Sequence, residues 1–317
     1  MSACGFSSQH HSPANAGSPQ AGVFAPQASS TESARGHPAV TFTLDLEYHR
    51  DAAACASRVV ANTLRILDFL ESMQVRGTVF AVGRVARAQP ALIRTAAAHG
   101  HEVACHSLDH RPIDQADESA FRADTATAKA MLEDIAGVAV VGFRAPVFSM
   151  TPRTPWAAGV LRDLGFHYSS SVMPAASPLY GDPMAPPHPF RWISGLVELP
   201  CPVARLGPLV FPFLGGIYLR YLPIQGLQAL LRRRAGTGLW TYCHPYDVDA
   251  EEGLVRFAGA GRVASLLLSL NRRRTFERLR AVLADGAAPP LAERIAAGEF
   301  ADAPDYVPGR APDAGAR

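Results

Sequence analysis

"GTVFAVGRVARAQPALIRTAAAHGHEVACH", residues 77–106, contains a complete strand–helix–strand unit. Residues 77–83 are a short run of β-branched and apolar residues, which is typical of a buried strand. The segment 89–100 has apolar residues at helical spacing, with proline near its start and glycine at its end, so it is predicted to be a helix. Residues 101–106 are predicted to be a second strand. A crossover helix between two buried strands indicates that the strands are parallel.

The same alternation extends along the chain on both sides of this unit. Further strands are predicted at 39–48, 138–146 and 239–244, and further helices at 57–74, 117–137, 154–165, 223–234 and 271–286. Between about 174 and 222 the sequence becomes rich in Pro and Gly, with short strands predicted at 195–200 and 214–223. The overall pattern predicts an α/β fold with a parallel sheet.

The ends of the chain differ from this pattern in composition. Residues 1–37 are rich in Ser, Pro, Ala, Gly and Gln and are predicted to be a disordered N-terminal extension. One ordered domain with a C-terminal extension is predicted over 38–290, and residues 300–317 are predicted to be a loose tail. The first residues lack a basic start and an unbroken apolar stretch, which argues against a secretory signal. No segment reaches 18 consecutive apolar residues, so a transmembrane helix is not expected and the predicted location is the cytoplasm.

Charge and cysteine content exclude several classes of protein. The 317-residue chain has a formal net charge of only +2, which implies no overall attraction to nucleic acid. Arginine runs at 232–234 and 272–274 lie on predicted helices, where solvated helix faces are the simpler interpretation and a contact with an anionic membrane or polyanion is the alternative. The five cysteines are odd in number and form no C-x-x-C pair, which argues against a disulfide framework and a zinc ribbon.

Ionisable residues stand at the carboxyl ends of the predicted strands. They are Asp45 and Glu47 after the first strand, His106 and His110 after the third, Arg144 near the end of the fourth and His244 at the end of 239–244. In α/β barrels the carboxyl ends of the strands form the face on which active sites assemble. An isolated charge buried there is costly unless it is paired, so the sequence predicts one shared site.

The spacing of these residues indicates what the site could hold. Asp45 and Glu47 are two residues apart on a strand and can face one pocket, whereas His106 and His110 can share one side of a helical turn. Two imidazoles and a carboxylate form a three-ligand set for a divalent metal with an open position, which leaves the second carboxylate free for acid–base chemistry. Structural roles stay open: a capping pair for the carboxylates, a core histidine at His244 and a plain ion pair for Arg144.

Five segments, in this order, resemble the polysaccharide deacetylases of the NodB-homology type, carbohydrate esterase family four. They are "TFTLDLE" (41–47), "HSLDH" (106–110), "FRAPVFS" (143–149), "YSSSV" (168–172) and "YCHPYD" (242–247). The resemblance covers residues 39–286. The stretches "RGTVFAVG", "GHEVACH" and "GGIYLRYLP" are similar to the subgroup associated with bacterial exopolysaccharide export loci. The family's fold implies a distorted (β/α) barrel of seven or eight parallel strands.

The resemblance also implies roles for individual residues. Asp45 matches the catalytic base, His244 the general acid and Arg144 the arginine that pairs with the base. Glu47, His106 and His110 match the metal ligands, and the expected ion is zinc. Four further residues are predicted to bind substrate, although core packing is an alternative for the last two: Tyr48, Pro146, Trp192 and Tyr218.

The activity implied by the resemblance is removal of N-acetyl groups from sugars, with release of acetate. The expected substrate is an exopolysaccharide or its lipid-linked precursor, and peripheral association with a polysaccharide-synthesis complex is compatible with it. Alternative substrates are a peptidoglycan precursor, a chitooligosaccharide or a small amide. A different class of function is an inactive carbohydrate-binding scaffold, and the intact set of six ionisable residues argues against it.

Two departures from the family pattern concern the site directly. The first segment of the family has adjacent aspartates, whereas here Leu46 separates Asp45 from Glu47. The fourth segment has an aspartate where this chain has Ser169, and that acid can tune the proton-donating histidine. The charge state of His244 therefore depends on whether Asp247 or Asp249 takes its place.

Overall fold

The computed structural model describes residues 38–177, 179–234, 238–257, 261–284 and 286–308. The predicted disordered extension at 1–37 lies outside the described residues. The strands are β1 (Val40–Thr41), β2 (Thr43–Leu46), β3 (Thr78–Ala81), β4 (Glu102–Cys105), β5 (Gly142–Phe143), β6 (Tyr168–Ser169), β7 (Phe190–Trp192), β8 (Val197–Glu198), β9 (Val203–Leu206), β10 (Leu209–Pro212), β11 (Leu239–Trp240), β12 (Ala287–Ala288) and β13 (Asp305–Tyr306).

Helices follow most of the strands. They are α1 (Ala52–Ser72), α2 (Gly83–Ala88), α3 (Pro90–Ala98), α4 (Glu118–Ala136), α5 (Ala157–Asp163), α6 (Gly216–Tyr221), α7 (Ile224–Arg232), α8 (Arg262–Ser269), α9 (Thr275–Leu283) and α10 (Leu291–Ala296). Within the described part of the chain, no helix combines the length and the apolar content needed to cross a bilayer.

Capping residues explain where the long helices begin and end. The Asp117 side chain accepts a hydrogen bond from the backbone N–H of Ala120 at 2.8 Å, which satisfies one free donor at the start of α4. Gly137 ends that helix with φ 70°, a conformation that glycine adopts at little cost. The predicted helix at 117–137 is therefore confirmed. Asp51 caps α1 in the same way, so this helix begins earlier than the predicted 57.

The largest sheet carries the site. Over the described residues it has eight strands in the order β13-β7-β8-β6-β5-β4-β3-β2. From β7 to β2, every neighbouring pair of strands is parallel except the pair β7–β8. A second sheet places β1 between β11 and β12, both parallel to it. Only Phe42 separates β1 from β2, so one stretch of chain serves both sheets. The predicted α/β fold with a mostly parallel sheet is confirmed.

The predicted closure into a barrel is not confirmed. Among the described residues, no strand pairing joins β13 at one edge of the large sheet to β11 or β12 of the second sheet. The reason lies in the described residues between 170 and 234, where short strands and the antiparallel hairpin β9–β10 replace regular strand–helix units. The sheet therefore remains open on that side.

Two segments differ from their predicted secondary structure. The strand predicted at 214–223 is wrong, because Gly216–Tyr221 forms α6. A short apolar run does not by itself distinguish a strand from a helix. The chain at 300–306 also differs from a loose tail, because Phe300 and Tyr306 are buried and β13 pairs with β7.

The cysteines support the prediction against a disulfide framework. Cys55, Cys105, Cys201 and Cys243 are free and buried. Burial raises the pKa of the Cys105 thiol to about 12, so it stays protonated and is a poor metal ligand at neutral pH.

Candidate active site

The carboxyl ends of β2, β4, β5 and the strand that starts at β11 meet at one cavity of about 210 Å³. The structure brings together all six ionisable residues predicted from the strand ends: Asp45, Glu47, His106, His110, Arg144 and His244. Backbone pairing fixes this arrangement. The N–H of Asp45 donates to the carbonyl of Cys243 at 2.8 Å, which sets the carboxylate strand beside the residue preceding His244.

Glu47 and the two histidines form the part of the site that could hold a metal. The Nε2 atoms of His106 and His110 lie 3.4 Å and 2.5 Å from Glu47 Oε2, and the three candidate ligand atoms lie within 4.8 Å of one another. His106 Nδ1 is 2.8 Å from the carbonyl oxygen of Arg144, which orients the ring so that Nε2 points to Glu47. One carboxylate and two imidazoles with this convergence fit a divalent cation such as zinc.

The two histidines converge by a route that differs from the predicted helical turn. Ser107 and His110 both have positive φ angles, of 66° and 56°. The hydroxyl of Ser107 accepts a hydrogen bond from the His110 N–H at 2.9 Å and closes the turn. Left-handed backbone in residues other than glycine is strained and clusters at functional sites. The turn therefore acts as a fixed holder for His110.

The electrostatics of the three groups are tightly coupled. Burial alone raises the pKa of the Glu47 carboxyl, but the charge of His110 and hydrogen bonds from both histidines outweigh it and hold the pKa well below the ordinary value. Burial lowers the pKa of the His110 imidazole, while Glu47 raises it and dominates. Glu47 is therefore ionised, as a metal ligand must be.

Asp45 is held by Arg144. The Nη1 atom of Arg144 donates to Asp45 Oδ1 at 2.5 Å and to Thr43 Oγ1 at 2.8 Å. The guanidinium carbon lies 3.9 Å from the ring centroid of Phe80 and 4.1 Å from that of Trp240, so the group is clamped between two aromatic rings. Arg144 is fully buried. The ion pair with this guanidinium fixes the orientation of the Asp45 carboxylate.

A second carboxylate holds the imidazole of His244. Its Nδ1 lies 2.9 Å from Asp247 Oδ2, and Nε2 points toward Asp45 Oδ2 at 3.8 Å. Burial by itself lowers the pKa of this imidazole, but Asp247 above all, with Glu47 and Asp45, raises it to about 9. His244 is thus protonated at neutral pH. The ring also stacks on Tyr246, with centroids 4.7 Å apart.

Asp247 takes the place of the aspartate that the chain lacks at Ser169. Ser169 instead donates a hydrogen bond to the Ser171 hydroxyl at 2.7 Å. Asp249, the other candidate, pairs with Arg58 at 3.0 Å. Behind Asp247 stands Arg220, fully buried in α6, whose Nη1 lies 3.2 Å from Asp247 Oδ1. The sequence reasoning missed Arg220, although a lone charge inside the apolar run 214–223 was a signal for it.

The four predicted substrate-binding residues are not among the described residues that line the cavity, although both chain neighbours of Pro146 are. Tyr48 packs partly buried against the core, and Pro146 is buried at the start of a single helical turn. Trp192 donates to Glu198 Oε2 at 3.2 Å, and Tyr218 stacks on Phe211. In the described part of the chain, the aromatic side chains that line the cavity are Phe148, Tyr180, Tyr242 and Tyr246. For aromatic residues outside the strand-end motifs, no signal in the sequence distinguishes those that line the cavity from those that pack in the hydrophobic core.

Two family models match the sequence of this chain. Residues 33–169 match the family model for polysaccharide deacetylase. Residues 170–290 match a second model, described as a domain of unknown function (DUF3473).

Solved structures share the fold. A candidate polysaccharide deacetylase from Mycobacterium smegmatis is 24% identical, with a TM-score of 0.59, and the alignment covers 90% of this chain and 98% of that one. PuuE allantoinase is 17% identical, with a TM-score of 0.53, and the alignment covers 83% of this chain and 90% of that one. The chain thus shares the fold of these two proteins, and its residues 33–169 match the polysaccharide deacetylase family model.

Proposed function

We propose that this protein is a metal-dependent hydrolase that removes N-acetyl groups from the sugars of a polysaccharide and releases acetate. The observation that carries the proposal is the convergence of a carboxylate–imidazole triad, a separately held carboxylate and a protonated histidine at one cavity. Amide hydrolysis needs those three functions: activation of water, acceptance of its proton and donation of a proton to the leaving amine.

Glu47, His106 and His110 would hold the metal, since their ligand atoms converge and Glu47 is ionised. A divalent ion bound there supplies a Lewis acid that polarises a carbonyl and lowers the pKa of bound water. Zinc is the expected ion for this mixture of nitrogen and oxygen ligands.

The chain's own groups move the protons. Asp45, oriented by Arg144, accepts the proton of the attacking water. His244, kept protonated by Asp247, donates a proton to the departing sugar amine. The two groups are well placed for successive steps on one substrate, because His244 Nε2 lies 3.8 Å from Asp45 Oδ2. Aromatic rings at the cavity, such as Tyr180 and Tyr246, offer faces on which a sugar ring can stack.

The proposed substrate is an exopolysaccharide or its lipid-linked precursor. The resemblance of the linking segments to the export-locus subgroup supports it, together with the DUF3473 match, which fits that subgroup loosely. Peptidoglycan precursors, chitooligosaccharides and small amides such as allantoin are the competing substrates. An inactive carbohydrate-binding scaffold is disfavoured, because all six ionisable residues are present and line one cavity.

The test is acetate release from N-acetylated oligosaccharides by the purified protein, with added zinc and with chelator. Asp45→Asn is expected to abolish release while zinc still binds, and His106→Ala is expected to lose both. His167→Ala is the matched control, because His167 is exposed and lies outside the site. Zinc binding without acetate release from any sugar would favour the scaffold, and acetate-free hydrolysis of allantoin would favour a small-amide substrate. Absence of zinc binding by the wild-type protein would refute the metal site.

A further inference from the structure

A second cavity of about 280 Å³ shares one stretch of chain with the catalytic cavity. The hairpin β9–β10, the end of α7 and several residues between Pro174 and Pro187 line it. The same segment contributes to both cavities: Met173 and Tyr180 line the catalytic cavity, and Pro174 and Pro183 line the second one. Successive residues along one short stretch of chain therefore face two neighbouring cavities.

Asp182 fixes the stretch of chain that contributes residues to both cavities. Its N–H donates to the carbonyl of Met173 at 2.8 Å, and its Oδ2 accepts a hydrogen bond from the Tyr306 hydroxyl at 3.0 Å. Asp182 is buried, as is Tyr306. The spacing between the two cavities is thus set by the fold, which is what two subsites for one extended ligand require.

Three arginines give the second cavity its character: Arg205 on β9, and Arg233 and Arg234 after α7. The remaining lining residues are Pro, Ala, Val and Leu, so no acidic side chain balances the charge in the lining. Across the described ranges, none of the three guanidinium groups has a carboxylate within 4.0 Å, whereas most buried arginines of this protein are paired.

Arg234 is the most informative of the three. It is partly buried, its Nη2 donates to the carbonyl of Pro187 at 2.8 Å, and its Nε is buried without an acceptor among the described residues. A buried donor without an acceptor is costly, and an arginine keeps its charge under all ordinary conditions. The fork of Arg234 is therefore held in place with donor capacity still unused.

We propose that this arginine cavity binds an anionic group, a carboxylate or a phosphate, on the same sugar chain whose N-acetyl group enters the catalytic cavity. Planar guanidinium groups match both anions through paired, charge-assisted hydrogen bonds. The proposal rests on the proposed function and narrows it, because it makes the natural substrate an acidic saccharide. A uronic acid within the polymer and the diphosphate of a lipid-linked precursor are the two sources of such a group.

The experiment measures binding apart from catalysis, by calorimetric titration of the Asp45→Asn protein at low ionic strength. The probes are a heparosan hexasaccharide, which alternates glucuronate with N-acetylglucosamine, and chitohexaose, which is neutral and of equal length. We expect the acidic probe to bind about tenfold more tightly or better, and this preference to fall as salt is raised. Because no turnover is needed, the result stands even if acetate release fails.

Charge reversal assigns the effect to this cavity. Arg205→Glu with Arg233→Glu is expected to remove the preference for the acidic probe, since both residues are exposed and tolerate substitution. Arg94→Glu, an exposed arginine on α3, is the matched control and is expected to keep it.

Inorganic pyrophosphate as a competitor separates the two sources. The measured quantity is the concentration of each competitor that displaces the hexasaccharide. If pyrophosphate displaces it at a lower concentration than glucuronate does, the natural anion is the diphosphate. The reverse order points to the uronic acid. The proposal is overturned if the Asp45→Asn protein with an unchanged arginine cavity shows no preference for either anion. It is also overturned if the variant with Arg205→Glu and Arg233→Glu retains the preference for the acidic probe.

Discussion

Asp247 stands three residues after the histidine that it serves, on the same turn of chain. A carboxylate that orients a catalytic imidazole needs only to reach Nδ1 from a fixed position, and the turn at 244–247 supplies that position. Arg220 neutralises the buried carboxylate from behind, at 3.2 Å. The charge that keeps His244 protonated is thereby local to one segment and independent of residue 169.

Substitution of Asp247 tests this arrangement through the pH dependence of activity. The raised pKa keeps His244 in its acid form up to pH about 9, so activity is expected to fall as pH rises through that value. In Asp247→Asn the pKa moves back toward that of free histidine, and the alkaline limb is expected to shift down by roughly one to two pH units.

The profile of acetate release against pH measures the limb. Asp249→Asn is the matched control, because Asp249 pairs with Arg58 and is expected to leave the limb in place. An unchanged limb in Asp247→Asn, or an equal shift in both variants, would show that Asp247 does not set the charge of His244.

Arg144 invites a prediction about stability. In Arg144→Met the Asp45 carboxylate loses its buried partner, and the free energy of unfolding is expected to fall by about 3–5 kcal/mol. Urea denaturation measures the change. Arg153→Met removes an exposed pair with Asp114 and is expected to cost about 1 kcal/mol or less. An equal decrease in the free energy of unfolding in the two variants would show that the buried Arg144–Asp45 pair is no more important for stability than an exposed pair.

The sequence predicted which residues meet, but not how each is held. Ionisable residues at strand ends are unexpected in a buried sheet unless they share a site, and that argument located all six. The choice between Asp247 and Asp249 depended on side-chain direction within one turn, which spacing does not encode. The backbone of Ser107 and His110 is in a left-handed conformation that residue type alone does not predict.

At the scale of elements, close backbone contact places α6 against the strand that carries His244. A Cβ atom added at Gly215 would lie 2.2 Å from the carbonyl oxygen of Tyr242, which is backbone and cannot move aside alone. Gly215→Ala is therefore expected to destabilise the protein by about 1–3 kcal/mol and to lower activity through displaced His244. Thermal unfolding and acetate release measure the two effects.

Gly159→Ala is the matched control for that substitution. Gly159 lies inside α5, and a Cβ there meets nothing within 4 Å. Alanine favours a helix interior over glycine by up to about 1 kcal/mol, so this variant is expected to be slightly more stable. Stabilisation in Gly215→Ala as well would contradict the close approach of α6 to Tyr242.

Elements with local signals were predicted well, and elements defined by tertiary contact were not. The helix α4 has an aspartate cap, an apolar stripe and a closing glycine, all visible in the sequence. The helix α6 has none of these, and its apolar run suits a strand equally well. Its identity is decided by Gly215 packing on Tyr242 and by Arg220 reaching Asp247, which are contacts with distant parts of the chain.

At the scale of the whole molecule, the site is divided between the two matched segments. The candidate metal ligands, Asp45 and Arg144 lie in 33–169, whereas His244, Asp247 and Arg220 lie in 170–290. The strands interleave as well, because β1 pairs with β11 and with β12 on its two sides. The second segment is thus a structural part of the sheet that β1 of the first segment forms.

A fragment of residues 38–169 is therefore expected not to fold on its own. It would lack both partners of β1 and would expose apolar edges that β11 and β12 cover in the full chain. Dispersion of backbone amide signals in NMR and cooperativity of urea unfolding measure folding, with the fragment 38–308 as the control. A cooperative transition in the shorter fragment would contradict this expectation.

The barrel was implied by the family resemblance, and the regular strand–helix alternation ends where the sheet opens. Over the described residues between 170 and 234, the Pro- and Gly-rich sequence builds the hairpin β9–β10 and the stretch from Pro174 to Pro187 in place of further strand–helix units. These irregular segments form the arginine cavity. Composition indicated that regularity stops there, but not which walls would result.

The direct backbone bond between Asp45 and Cys243 has a consequence for motion. Because the Asp45 N–H is bonded within a buried ladder that also carries His244, its hydrogen can exchange with solvent only when that ladder opens. Asp45 and His244 therefore belong to one cooperative unit, and the distance between them is expected to stay constant during local fluctuations. Any opening of the cavity that admits a bulky saccharide is therefore expected in the surrounding loops, while Asp45 and His244 keep their relative positions.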